Sequence, residues 1–274
     1  MTAATIAPSA VSDRPEHPPI YWAISDTKTI AWRNLVTMRR LPQLLVFSLI
    51  HPVIFVLMFR YVFGGAIRIP GPFPYVDYLM PGVFAQTVAF GAIQTGIGLA
   101  EDLHKGLIER FRSLPMARSA VLSGRTLADL TRNVFVMCLM VGIGYLVGFR
   151  VHTGLLGLLA GMAVMLFFGF SLTWIFAIIG LSTSNAETAQ AASFPIIAPL
   201  VFASSAFVPV SSMPGWLQAF AKNQPVSIAI NGVRSLMLGG HYANTGQVLA
   251  SIAWSVGIIA VFAPLAVRKY RQAA

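Results

Sequence analysis

The sequence predicts an all-α integral membrane protein with six transmembrane helices, and three observations carry that prediction. Hydrophobic residues make up 56% of the 274 positions and charged ones only 10%, where a soluble domain carries about a quarter. Six apolar stretches approach the roughly 20 residues that a helix needs to cross a hydrocarbon core. Finally, the basic residues divide unevenly between the two sides that six crossings define, as membrane topology requires.

The elements follow in chain order. Residues 1–19, "MTAATIAPSAVSDRPEHPP", are polar and proline-rich, with no basic start running into an apolar core. They read as a disordered cytoplasmic tail and not as a secretory signal. In residues 20–42, Ile24, Ala31, Leu35 and Met38 recur at helical spacing beside Trp32, while Lys28, Arg33 and Arg40 project elsewhere. This pattern fits a helix lying in the membrane interface, apolar face in the acyl boundary and bases on anionic lipid headgroups. A plain basic juxtamembrane linker is the alternative. The membrane domain is predicted over 43–267, with spans near 44–63, 79–100, 134–149, 155–181, 191–208 and 248–267, followed by a cytoplasmic end at 268–274.

Six crossings put both termini on one side. Placing them inside leaves fourteen of the nineteen basic residues there and five outside: Arg60, Arg68, Arg150, Lys222 and Arg234. That imbalance satisfies the positive-inside rule. In a soluble protein a net charge of +10 would point to nucleic acid; here it reports sidedness, and no nucleic-acid partner is expected. Cys138, alone in the chain, forms no intrachain disulfide and is silent on redox compartment.

Between the second and third spans lies "EDLHKGLIERFRSLPMAR" (101–118), where both signs of charge gather. Leu103, Leu107, Phe111 and Leu114 fall on one side of a helix, and Glu101, Lys105, Glu109 and Arg112 on the other. Arg110 sits at the apolar edge, and Pro115 ends the helix. A linking interfacial helix and a docking helix both fit this amphipathic pattern. Between the fifth and sixth spans, "PGWLQAFAKNQP" and "PVSIAINGVRSLMLGG" read as two short helices. Each opens at a proline, and the second closes at Gly239-Gly240. Trp216, Asn223, Pro225 and Arg234 belong to this segment, and an amphipathic surface loop is its plainer reading.

Within the spans, Gln86, Phe90 and Gln94 share a helix face and His51 precedes Pro52. These are candidates for a substrate path, against the simpler readings of interhelical hydrogen bonding and a satisfied neutral histidine. Gly157 and Gly161 read as a helix-packing pair. No predicted span carries a central carboxylate, which argues against proton or sodium coupling. Aromatic and aliphatic walls (Phe47, Phe55, Phe90, Phe167, Phe168, Trp174, Phe202) would suit an amphipathic cargo. The histidines are scattered, with no metal-ligand spacing and no nucleophile motif.

The wording of the central segment, "YLMPGVFAQTVAFGAIQTGIGLAEDLHKGLIERFRSLPMARSAVLSGRTLADLTRN", resembles the type-2 ATP-binding-cassette (ABC) exporter permeases, particularly the daunorubicin-resistance membrane-protein branch. Tyr78-Leu79, Pro81-Gly82, Gln86, Asp102, Gly106, Arg110, Arg112, Pro115 and Gly124-Arg125 carry the likeness. "HPVIFVLMFRYVFGG" extends it toward the start, and the Pro-x-Trp, Asn-x-Pro and arginine of the late segment extend it toward the end.

The resemblance implies a coupling helix over residues 101–115, seated in a groove of an ATPase subunit, with short outer or re-entrant helices before the last span. It also implies a pair of permeases, whether two copies or two homologues, assembled with two separate ATPases that bind ATP and Mg. No lysine here follows a glycine, so the phosphate-binding G-x-x-x-x-G-K-[ST] pattern is absent. No cofactor and no ATP hydrolysis are expected on this chain. The expected function is export of an amphipathic drug or antibiotic across the cytoplasmic membrane. Export of an envelope lipid or glycolipid stays open beside it, as does a non-transport role as assembly scaffold or embedded enzyme.

Overall fold

The computed structural model describes residues 42–105 and 118–273, with side chains described from 49 in the first block and over 125–272 in the second. The predicted tail and interfacial helix, and residues 106–117 of the charged segment, lie outside the described residues.

Every long element among the described residues is helical. Helix α1 (Pro42–Leu57) runs on into a wider π-helical turn, Met58–Phe63. Then come α2 (Tyr75–His104), α3 (Arg118–Val147), α4 (Gly154–Gly180) and α5 (Ala186–Phe202), the short pair α6 (Gly215–Asn223) and α7 (Pro225–Met237), and α8 (Thr245–Ala273).

Local chemistry sets the boundaries. Pro74, in extended backbone, opens α2 and Pro225 occupies the first turn of α7, positions where a missing N–H costs nothing. Asn185 caps α5 by accepting from Thr188 N–H at 2.8 Å, and the Thr188 hydroxyl is reached in turn by the Asn185 N–H, a reciprocal box that settles two free donors. Gly148, at φ +104°, ends α3 in a left-handed conformation that only glycine adopts freely.

Among the described residues, four helices are long and apolar enough to cross a membrane: Tyr75–His104, Arg125–Val147, Gly154–Gly180 and Thr245–Gln272. The third predicted span begins earlier than its apolar run suggests, because α3 carries Arg125, Asp129 and Arg132 in helical register. The fifth, predicted at 191–208, is corrected. Helix α5 starts at Ala186, stops at Phe202 and has 17 residues, about 25 Å of rise. Residues 203–207 turn away instead of continuing, and their carbonyls are used elsewhere.

Helix α2 is the axis of the fold. Its apolar window is 72% buried, against 17% for α8, so α2 is central and α8 peripheral. It packs on α4, α3, α5, α1 and α7, while α4 also carries α8 and α7. Gly96 on α2 and Gly180 on α4 face each other where the two backbones cross. A side chain on either would collide with main-chain oxygen of the other helix. Gly157 and Gly161 let α4 meet Leu236 and Met237 at the end of α7 in the same way. Large apolar side chains such as Leu146, Leu156, Ile54 and Val256 stay exposed around the perimeter, a surface suited to acyl chains and not to water.

Candidate functional site

Three groups of residues are strung along α2: one where α6 and α7 cover the bundle (the cap end), one at mid-length, and one at the end that leads into 106–117 (the loop end).

The cap end is built around a cation. Arg234 of α7 is 1% exposed. Its Nε and Nη2 donate to the Tyr78 carbonyl at 3.1 and 3.0 Å. Nη2 also donates to Ser205 O at 2.6 Å, and Nη1 to Asn231 Oδ1 at 3.1 Å. The guanidinium carbon lies 3.4 Å from the centroid of the Tyr78 ring, a cation–π contact. No carboxylate pairs with Arg234 among the described residues. Burial pulls this guanidinium below its ordinary value, opposed by the nearby Tyr78, Tyr242 and Tyr75; an arginine stays protonated regardless.

The same turn, 203–207, is held by other donors. Tyr75 OH reaches Phe207 O at 2.7 Å, Tyr78 OH reaches Ser205 O at 3.1 Å, and Gln224 Nε2 reaches Ala203 O at 2.6 Å. Gly82 lies flat against the backbone of Ala206, where any side chain would collide. Named from the sequence as part of the segment between the fifth and sixth spans, Arg234 is the centre of a buried clamp. Ending α5 early is what frees the carbonyls that this cation needs.

Asp77, in the first turn of α2, also went unnoticed in the sequence. It is 1% exposed, accepts from the Arg150 backbone N–H at 2.8 Å, and meets His152 Nε2 at 2.7 Å. A carboxylate there also faces the positive end of the helix dipole. It pins the α3–α4 connection onto the start of α2. Of the remaining cap residues, Trp216 is 77% exposed, as suits an interface. Asn223 donates to Ala219 O within its own helix, and Pro225 starts α7.

At mid-length, α1, α2 and α5 bring three of the four candidate path residues together. Gln86 Nε2 lies 3.4 Å from His51 Nδ1, and the His51 ring lies 5.1 Å from Phe90 and 4.7 Å from Phe55. Phe55 continues to Phe202 at 5.8 Å, and Phe90 to Phe194 at 6.2 Å. Gln86 is fully buried, and its Oε1 has no partner among the described residues. The result is an aromatic cluster, partly open at the surface, with one buried unpartnered acceptor beneath it. Gln94, on the same helical face, is exposed and stands apart from it.

At the loop end, Glu101, Asp102 and Leu103 form the last turn of α2 itself, so the charged segment starts as a continuation of the span and not as a separate helix. Lys105 closes that turn, with Nζ 2.5 Å from Glu101 Oε1. The bond and the charge of Glu101 raise the ammonium above its ordinary value. Leu103 packs against a small cluster of Leu99, Trp174, Leu181, Ala266 and Tyr270. Gly106, Leu107, Glu109, Arg110, Phe111, Arg112 and Pro115 lie outside the described residues.

Asp102 pairs with Arg125 of α3. Further along, Thr95 donates to Asp129 Oδ2 at 2.7 Å and Arg132 Nη1 stands 3.5 Å from Asp129 Oδ1, while Arg132 Nη2 donates to Gly91 O at 2.8 Å. Counted as loop residues from the sequence, Arg125 and Arg132 are parts of a helix–helix seam. Among the described residues, no three His, Cys, Asp or Glu side chains gather to hold a metal ion.

Comparison with known proteins bears on what these groups serve. The family model for ABC-2 type transporters matches residues 25–238. The chain is 40% identical over 258 residues to a daunorubicin-resistance ABC transporter permease of Streptomyces coeruleorubidus, covering 94% of this chain and 90% of that one. It is 28% identical over 227 residues to a probable doxorubicin-resistance ABC transporter permease of Mycobacterium tuberculosis, covering 82% and 81%. A putative transport permease of Pyropia yezoensis is 25% identical over 245 residues, covering 84% of this chain and 80% of its own.

Proposed function

The chain belongs to the ABC-2 type transporter family, and from that premise we propose that it is the membrane-embedded permease of an ATP-driven drug exporter. Identity of 40% along nearly its whole length with a daunorubicin-resistance permease is the observation that carries this reading. The chain crosses the cytoplasmic membrane six times: α2, α3, α4 and α8 at full length, α1 with its π-helical turn as the first crossing, and the shorter α5 as the fifth. Both termini and the loop end are cytoplasmic, and the cap end faces out.

ATP and Mg bind on separate ATPase subunits. Two permeases, either two copies or this chain and a homologue, line the route between them. Closure of the ATPases on ATP pushes residues 101–115, through the charged face of Glu101, Lys105, Glu109, Arg110 and Arg112 and the apolar anchors Leu103, Leu107 and Phe111. The permeases rock and the route opens outward. His51 and Phe90 offer a flat amphipathic cargo ring faces above the buried acceptor of Gln86; Gln94 lies along the same face, nearer the loop end. The cap of α6 and α7, from Trp216 to Arg234, closes the route on the outer side.

Inverted vesicles carrying the permease with its ATPase should accumulate daunorubicin when ATP is added. The double substitution Glu109→Ala with Phe111→Ala should leave hydrolysis and abolish accumulation. Full transport by that variant refutes the docking role. A knockout with unchanged drug retention and an altered envelope lipid profile replaces the drug cargo by a lipid.

A further inference from the structure

The ionic seam between α2 and α3 has no part in the reading above, and its geometry is unusual for a membrane interior. On α2, Gly91, Thr95, Gly98 and Asp102 recur at intervals of four, three and four, which places them on one stripe. On α3, Arg125, Asp129 and Arg132 do the same, with Asn133 beside them. The stripes face each other. Asp102 meets Arg125; Thr95 and Arg132 meet Asp129; Arg132 reaches the carbonyl of Gly91.

Glycines at 91 and 98 make this possible. A methyl group on Gly91 would come within 2.5 Å of Asn133 Oδ1, and one on Gly98 would run into the Arg125 guanidinium. Two carboxylates and two guanidinium groups leave the seam neutral, and each charge has a partner. That is the condition under which such groups persist at membrane depth.

We propose that this seam makes α2 and α3 a single lever, with Asp102, Arg125, Asp129 and Arg132 as positioning residues that carry displacement of the cytoplasmic segment to the cap end. The proposal rests on the transport reading for the source of the push. The chain connects α2 to α3 through residues 106–117, so a push on that connection enters both helices at once. If α3 slid past α2 by one turn, Asp102 would lose Arg125, Asp129 would lose the Thr95 hydroxyl and Arg132 would lose the Gly91 carbonyl, and parting a partly buried ion pair together with its neighbouring hydrogen bonds is costly. The helices therefore move together. At 30 residues, α2 is about 45 Å long, and its far end is fixed by Arg234 to α7 and to the 203–207 turn. A tilt imposed at one tip travels along the helix to the clamp at Tyr78, passing Pro81 one turn before it.

Spin labels at His104→Cys and Leu127→Cys, on a Cys138→Ser background, read the α2–α3 distance in the complete complex with and without ATP. With the seam intact, the distance should stay inside its own distribution in both states, and Arg125→Gln should broaden it. A native distance that changes with nucleotide, or no broadening in Arg125→Gln, overturns the lever. In proteoliposomes, Arg125→Gln should keep its ATPase bound and hydrolysing while daunorubicin moved per ATP falls roughly tenfold. Exchanging the pair, Asp102→Arg with Arg125→Asp, should restore most of that ratio, which a merely structural defect would not allow. An unchanged ratio in Arg125→Gln, or no recovery on exchange, counts against the proposal. A native complex that moves no drug refutes the transport reading instead, and broadening in Arg125→Gln still judges the seam.

Discussion

At its cap end α2 is fastened by one cation to main-chain oxygens; at its loop end the same helix is fastened to its neighbour by one ion pair, Asp102–Arg125, and by the contacts of Thr95 with Asp129 and of Arg132 with Gly91 O. The first arrangement draws on atoms that every residue owns, so it needs one special side chain, Arg234, and a backbone bent to receive it. The second draws on five special side chains, Thr95, Asp102, Arg125, Asp129 and Arg132, on one carbonyl and on the room left by two glycines. A clamp on carbonyls is indifferent to pH and binds three elements at a point. A row of one ion pair and two hydrogen bonds binds two helices along a line and resists sliding. Burial follows the same division: Arg234 is 1% exposed, whereas the Arg125 and Asp102 side chains keep 21% and 23%.

Substitutions can break this contrast at graded depth. Arg234→Ala should do the most damage, because it orphans the carbonyls of Tyr78 and Ser205 and opens a cavity, for a loss of about 3–5 kcal/mol. Loss of folded protein from the membrane, with a lower unfolding midpoint in detergent, is the readout. Arg234→Lys should recover only part of it, since an ammonium lacks the fork that reaches two oxygens.

Gly82→Val comes next, at roughly 3 kcal/mol, by forcing the 203–207 turn off α2; an undisturbed midpoint would show that the turn is not seated there. Asp77→Asn should cost about 1–2 kcal/mol, because the amide oxygen still accepts from Arg150 N–H while the carboxylate contact to His152 is lost. Thermal unfolding with and without His152→Ala measures the coupling. Least of all, Glu101→Ala should leave the midpoint unchanged, since the exposed pair with Lys105 is screened by water. A measurable drop there would erase the distinction between the two ends.

Helical class and the four long crossings were legible because an apolar run of 20 residues has few other stable fates. Membership in the permease family was legible from the order of loose motifs around Pro81-Gly82, Gly106 and Asn223-x-Pro225. The clamp was not. Tyr78 and Arg234 stand 156 positions apart, and nothing in either neighbourhood marks a main-chain oxygen as a partner. The early end of α5 was hidden for the same reason, since hydropathy alone runs on to Val208.

The seam was hidden by a habit of counting. Basic residues near a span edge read as solvated, so Arg125 and Arg132 were placed in the loop although Asp129 stands four and three residues away. The matching stripe on α2, from Gly91 through Asp102, was there to be set against them. Of the candidate path, spacing found the shared face of Gln86 and Phe90 but could not say that Gln94, a turn further, leaves the aromatic cluster.

The distance along the chain between Tyr78 and Arg234 also bears on how the protein is made. The ribosome delivers Tyr78 156 positions before the arginine that will hold it, and Ser205 29 positions before, so the cap end stays unlatched until late in synthesis. Until residue 234 clears the exit tunnel and its helix folds over, the nascent permease depends on the insertion machinery to shelter those bare oxygens.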